Sequence, residues 1–94
     1  MPQRSKLTSP FPRRLKEARV ASGLSQAKLG ALAGLDPGVS SARINQYERG
    51  VHEPKFRMAA CLADALGVPT AYLYCQEDDL AVSILARVGR PEGG

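Results

Sequence analysis

The stretch from Gly23 to Gly50, GLSQAKLGALAGLDPGVSSARINQYERG, constrains this chain most. It reads as two short helices joined by an irregular turn that contains glycine and proline. The first is expected over 26–33, with Ser25 as its N-cap and Gly34 as its stop. The capping-box position three residues after Ser25 holds Lys28 instead of Glu, so the reciprocal cap bond is missing. Leu29, Leu32 and Ala33 supply the buried stripe. Asp36-Pro37-Gly38 forms a turn. The second helix is expected over about 41–49, capped by Ser40 and ended by Gly50. It offers only Ile44 and Tyr47 to a core, and leaves Ser41, Ala42, Asn45, Gln46 and Arg49 free.

The flanking sequence continues in helices. Residues 1–10 are polar, basic and proline-flanked, and read as a flexible arm. A helix is expected over 12–22, with Pro12 in its first turn, Leu15, Ala18 and Ala21/Ser22 on one face, and Gly23 as its left-handed stop. Another runs over about 54–66, with Pro54 near its first turn. Phe56 and Met58 lie at its start, Ala59, Leu62, Ala63 and Leu66 on one face, and Gly67 at its end. Pro69 or Thr70 opens a short helix over AYLY. Gln76-Glu77-Asp78-Asp79 opens a last helix to about Arg87, with its acids where they favour the helix dipole. Leu80, Ile84 and Leu85 form an apolar stripe on that helix, and VGRPEGG reads as a frayed tail. Alanine and leucine dominate and Trp is absent, which favours an all-α fold. Residues 1–10 are thus an arm, 11–75 the main domain, and 76–94 a helix with a tail.

Net charge is +4, distributed unevenly. Residues 1–28 carry +6, residues 29–57 carry +1, and residues 58–94 carry −3. A basic front half joined to a helix with a spare polar and basic face fits a polyanionic partner. Short polar side chains on a helix braced by a second helix are what reading base edges in a major groove requires.

Other chemistries find little support. Cys61 and Cys75 lack the spacing and neighbours of a zinc site, and Cys61 reads as a small core residue. Both are expected as reduced thiols. The one histidine, His52, sits in a loop, neither cysteine has a nearby base, and there is no G-x-S-x-G or phosphate loop. No catalytic site, metal or cofactor is expected. No apolar leader or membrane-length segment occurs, and a cytoplasmic location is expected.

With those residues in place, the segments RLKEARVASGLSQAKLGALAG, SSARINQYERGVHEP and LADALGVPTAYLY resemble the Xre/Cro and lambda-type repressor family of helix-turn-helix proteins. The resemblance covers roughly residues 13–74. It rests on the RLKEAR start, the GLSQ opening, the YERG end and the ALGVP link, all in order. It implies a five-helix α domain, here with an additional short C-terminal helix, that binds DNA as a homodimeric regulator. The turn from Gly34 to Ser40 is about four residues longer than the family norm.

The resemblance also implies roles. Gln26 contacts the DNA backbone and buttresses the reading helix. Ser41, Ala42, Asn45 and Gln46 match base-facing positions. Gln46 or Asn45 can bond adenine in bidentate fashion, and Ala42 can meet a thymine methyl. Arg43 and Arg49 flank that face toward phosphates, with Arg43 to guanine as an alternative. Lys55 and His52 are placed for phosphate. Arg19 and Glu48 match an ion pair bridging the first and third helices. Tyr72, Leu73 and the Leu80, Ile84 and Leu85 stripe could complete the core, but relatives pair through the region after the fourth helix, so Tyr72, Leu80, Ile84 and Leu85 are expected at a two-fold contact. The expected function is that of a sequence-specific repressor acting on a palindromic duplex operator. An antitoxin or adaptor that holds a protein partner is the alternative, and a nonspecific architectural DNA binder is a third reading.

Overall fold

The computed structural model describes residues 8–88. Residues 1–7 of the expected arm, and the tail beyond Val88, lie outside this range. Six helices follow one another: α1 Phe11–Ser22, α2 Gln26–Leu32, α3 Ser40–Glu48, α4 Phe56–Leu66, α5 Thr70–Leu73 and α6 Asp78–Val88. No strand occurs among the described residues.

Helix α1 begins at Phe11, and Pro12 sits in its first turn, where a missing N–H costs nothing. Gly23, at φ +74°, lets the chain turn back, and the Leu24 N–H donates to the Arg19 carbonyl at 3.2 Å. The buried face comprises Phe11, Arg14, Leu15 and Ala18. Ala21 and Ser22, expected on that face, are exposed. The Ser22 hydroxyl turns back to donate to the Ala18 carbonyl at 2.8 Å.

Helices α2 and α3 pack on each other more extensively than any other pair. Their closeness has a local cause. Gly30 faces Ser40, and a Cβ at Gly30 would collide with Ser40 Oγ and lie 3.0 Å from its Cβ. Ser40 is therefore not the expected N-cap of α3. It is the first residue of the helix, 1% exposed, and its hydroxyl donates across the pair to the Ala27 carbonyl at 2.8 Å. Val39 takes the cap position with no side-chain bond. Leu32 also departs from expectation and is 54% exposed. Leu29, Gly30 and Ala33 form the inner face of α2, which leaves Leu32 on its flank. The connecting turn is anchored: the Leu35 N–H donates to the Gly30 carbonyl at 2.9 Å, and the Val39 N–H to the Asp36 carbonyl at 3.0 Å.

Helix α4 starts at Phe56, later than expected. Pro54 is buried ahead of it, and Phe56 points outward at 72% exposure. Ala59, Leu62 and Ala63 face the core, while Leu66 is half-buried. Helix α5 opens after Pro69, with Tyr72 and Leu73 buried. The centre of the domain consists of Leu15, Leu29, Ile44, Leu62 and Leu73, all at 0% exposure. Each such side chain contributes roughly 1.5–3 kcal/mol by leaving water. Cys61 is half-buried and Cys75 buried, both as free thiols.

Helix α6 is held mainly at its start. Its packing partner is α5, and Ala81 is its one buried residue among those whose side chains are described. Of the expected stripe, Ile84 is half-buried, whereas Leu80 and Leu85 are exposed. The anchor is Arg14, a buried cation at 4% exposure. Its Nε donates to the Cys75 carbonyl at 2.8 Å and its Nη2 to Asp78 Oδ1 at 2.9 Å, with the guanidinium 5.6 Å from the centre of the Tyr72 ring. Arg13 adds a 3.1 Å bond to the same Asp78 oxygen. Hydrogen bonds from Arg13 and Arg14 hold the Asp78 carboxyl below its ordinary value.

The end of α3 is fixed by a second ion pair. Arg19 of α1 donates to Glu48 through Nε at 2.6 Å and Nη2 at 3.2 Å, and through Nη1 to the Leu24 carbonyl at 3.0 Å. Both partners are largely removed from water.

Two substitutions check these contacts. Gly30→Ala is expected to destabilise the chain by about 1–3 kcal/mol through overpacking against Ser40, measured by urea unfolding. Arg19→Ala strands Glu48, a change that typically costs about 3–5 kcal/mol. For a domain of this size the melting temperature should then fall by more than about 10 °C. An unchanged melting temperature would remove the structural role given to Arg19.

Candidate nucleic-acid interface

Helix α3 has two sides with different work. Ser40, Ile44 and Tyr47 are buried. This set fixes the rotation of the helix about its own axis. The opposite side then carries Ser41, Ala42, Gln46 and Arg49, all exposed, with Asn45 and Arg43 half-buried at its margins. The sequence thus separates core from surface along α3 at helical spacing. None of Ser41, Asn45 or Gln46 has a side-chain hydrogen bond within the described residues, so their polar groups are free for a ligand, and Ala42 presents a bare methyl beside them.

Gln26, the first residue of α2, is half-buried, and its Nε2 donates to Glu48 Oε1 at 3.1 Å. The Glu48 carboxylate therefore joins α1, α2 and α3 at one point. This explains how an amide at the start of α2 braces the end of α3: it shares the acceptor that Arg19 also uses. The bond leaves the Gln26 Oε1 and its second N–H available.

Basic residues border the exposed side of α3. Arg43 and Arg49 make no ion pair among the described residues. Lys55 is the exposed N-cap residue of α4. His52 is exposed in the loop after α3, with its ring stacked near Tyr47 at 6.0 Å between centroids and 17° between planes. The stack gives the imidazole a preferred place at the C-terminal end of α3. Lys55 and His52 thus belong to the segment that follows α3, while Arg43 lies on that helix and Arg49 at its C-cap.

The remaining candidates occupy another part of the domain. Tyr72 is buried under the Arg14 guanidinium, so it is a core residue and not on the surface where a two-fold contact was expected. Burial raises its hydroxyl pKa above the ordinary value, which keeps it neutral. On α6, Ile84 is half-buried against the core, and Leu80 and Leu85 are left exposed by the other described residues.

Sequence reasoning missed Arg14 and Gly30. Arg14 lies on the same face as Phe11, Leu15 and Ala18, and that position was the available signal for a buried cation. Gly30 stands in mid-helix, where glycine is otherwise unfavourable, and that cost was the signal for a close approach. Among the described residues, no group of three or more His, Cys, Asp or Glu could hold a metal ion. No helix among them is long and apolar enough to cross a membrane.

Comparison with known proteins agrees with this geometry. The helix-turn-helix family matches residues 15–73. No curated protein matches the chain in sequence. Among solved structures, the crystal structure of the transcriptional regulator BswR is similar, with a TM-score of 0.81 and 49% sequence identity, over 86% of this chain and 80% of that one. The chain belongs to the Xre/Cro and lambda-repressor-like helix-turn-helix family of DNA-binding transcription regulators.

Proposed function

We propose that the chain is a homodimeric repressor that reads a palindromic operator by placing α3 of each copy in a major groove. The observation that carries this reading is the outward row Ser41, Ala42, Asn45 and Gln46 on a helix whose other side is fully committed. Gln46 or Asn45 offers a donor and an acceptor side by side, which matches adenine N7 and N6. Arg43, Arg49, Lys55 and His52 supply phosphate contacts that position the protein without carrying sequence information. Gln26 approaches the backbone from the start of α2.

The exposed apolar residues Leu80 and Leu85 of α6, with Ile84 half-buried between them and the core, support a two-fold contact. Two-fold pairing sets the reading helices about 34 Å apart, one turn of duplex. Arg14 and Asp78 then hold the pairing helix to the reading domain. Occupancy of a promoter blocks polymerase, and no catalysis or cofactor enters. Work of this kind takes place in the cytoplasm.

Selection from a random duplex pool should return a palindrome with half-sites about one turn apart. With Gln46→Ala, one position per half-site should relax, by about 1–3 kcal/mol of discrimination. Salt-sensitive binding with no consensus would replace this reading with an architectural one. No binding at moderate salt would point instead to an antitoxin or adaptor whose α6 face holds another protein.

A further inference from the structure

We propose that Val39 is a specificity residue that packs against the C5-methyl group of a thymine, at the leading end of the α3 reading row. The inference rests on α3 lying in the major groove, as argued above.

Val39 has no evident structural duty. It occupies the N-cap of α3, where Ser, Thr, Asp, Asn or Gly stabilise a helix and valine is among the poorest choices. Its side chain makes no cap bond. Nor does it serve the core: Val39 is 42% exposed, whereas Ser40 beside it is buried. A β-branched apolar residue is thus kept largely in water at a position where its side chain neither caps the helix nor fills the core.

Its placement is nevertheless well defined. The Val39 N–H donates to the Asp36 carbonyl at 3.0 Å, and its own carbonyl accepts from the Arg43 N–H at 2.9 Å. These bonds tie the end of the long turn to the first turn of α3. The burial of Ser40, Ile44 and Tyr47 sets the rotation of the helix. Positions 39, 42 and 46 follow at i, i+3 and i+7, which share one face. Val39 therefore extends the row of Ala42 and Gln46 by about one turn toward the N-terminus. Recognition helices meet base edges mainly with their N-terminal residues.

The chemistry then selects the ligand. An isopropyl group neither donates nor accepts, so it gains nothing from the polar atoms of the groove. The apolar feature that the major groove offers at base-pair edges is the thymine methyl. A valine fixed by backbone bonds on both sides loses little further freedom on meeting it.

The test uses the operator returned by selection and replaces each thymine in turn with deoxyuridine, which lacks only the C5-methyl. Affinities are compared for the unaltered chain and for Val39→Ser. One thymine per half-site should show a loss of about fourfold on replacement, the factor expected for one buried methyl-sized group. That loss should vanish in Val39→Ser, whose melting temperature should hold because the exposed valine side chain makes no cap bond and lies outside the core. A cap or packing role for Val39 would lower the melting temperature instead, and that result overturns the proposal. A consensus whose thymines are indifferent to replacement, or whose penalty persists in Val39→Ser, also overturns it while leaving the reading of α3 intact. Failure to obtain any consensus removes both.

Discussion

The seating of Ser40 against Gly30 is the constraint on which the geometry of α3 depends. With no Cβ on Gly30, α3 approaches α2 closely enough for the Ser40 hydroxyl to reach the Ala27 carbonyl. That contact sets both the separation of the two helices and the rotation of α3. The other end of α3 is held by Glu48, which accepts from Arg19 of α1 and Gln26 of α2. Ile44 and Tyr47 fill the space between. A helix fixed at both ends and along one side can expose polar residues with no structural work of their own. Binding by such a helix loses little conformational entropy.

The charge pattern acquires a different meaning once the ion pairs are known. The basic N-terminal segment suggested a polyanion-binding surface, yet Arg13, Arg14 and Arg19 are engaged by Asp78, Glu17 and Glu48. Much of that charge holds the domain together. The cations that make no ion pair among the described residues include Arg43, Arg49 and Lys55, further along the chain. The acidic C-terminal third has a matching role, because Asp78 fastens the start of α6 to α1. Burial works against the charge of Arg14, but Asp78 and Glu17 outweigh it and keep the guanidinium firmly protonated. The outcome is a five-helix domain with α6 attached through Asp78, leaving Leu80, Val82 and Leu85 exposed.

Much of this architecture was legible in the sequence because it depends on local signals. Glycines 23, 34, 50 and 67 all take positive φ, and each marks a place where a helix was expected to stop. Ser25 caps α2 as anticipated, accepting from the Lys28 N–H at 3.0 Å. Ile44 and Tyr47 face the core as their spacing required. The departures arise where a residue answers to a partner distant in sequence. Ser40 satisfies every local criterion for a cap, but a tertiary contact claims its hydroxyl. Leu32 has helical spacing to Leu29, yet α3 and α4 lie against the other flank of α2. Arg14 counts as surface charge until the α5–α6 corner supplies its acceptors. The outward row on α3 was readable because a core face defines its opposite, whereas the bond from Gln26 to Glu48 required three helices to be assembled.

Dimethyl sulfate footprinting of the chain on its selected operator tests the central claim most directly. The reagent reports guanine N7, which lies in the major groove, and adenine N3, which lies in the minor groove. Helix α3 reading base edges predicts protection of guanine N7 in two patches on one face of the duplex, about one helical turn apart. Protection confined to adenine N3, or no protection of either atom on bound DNA, would contradict it.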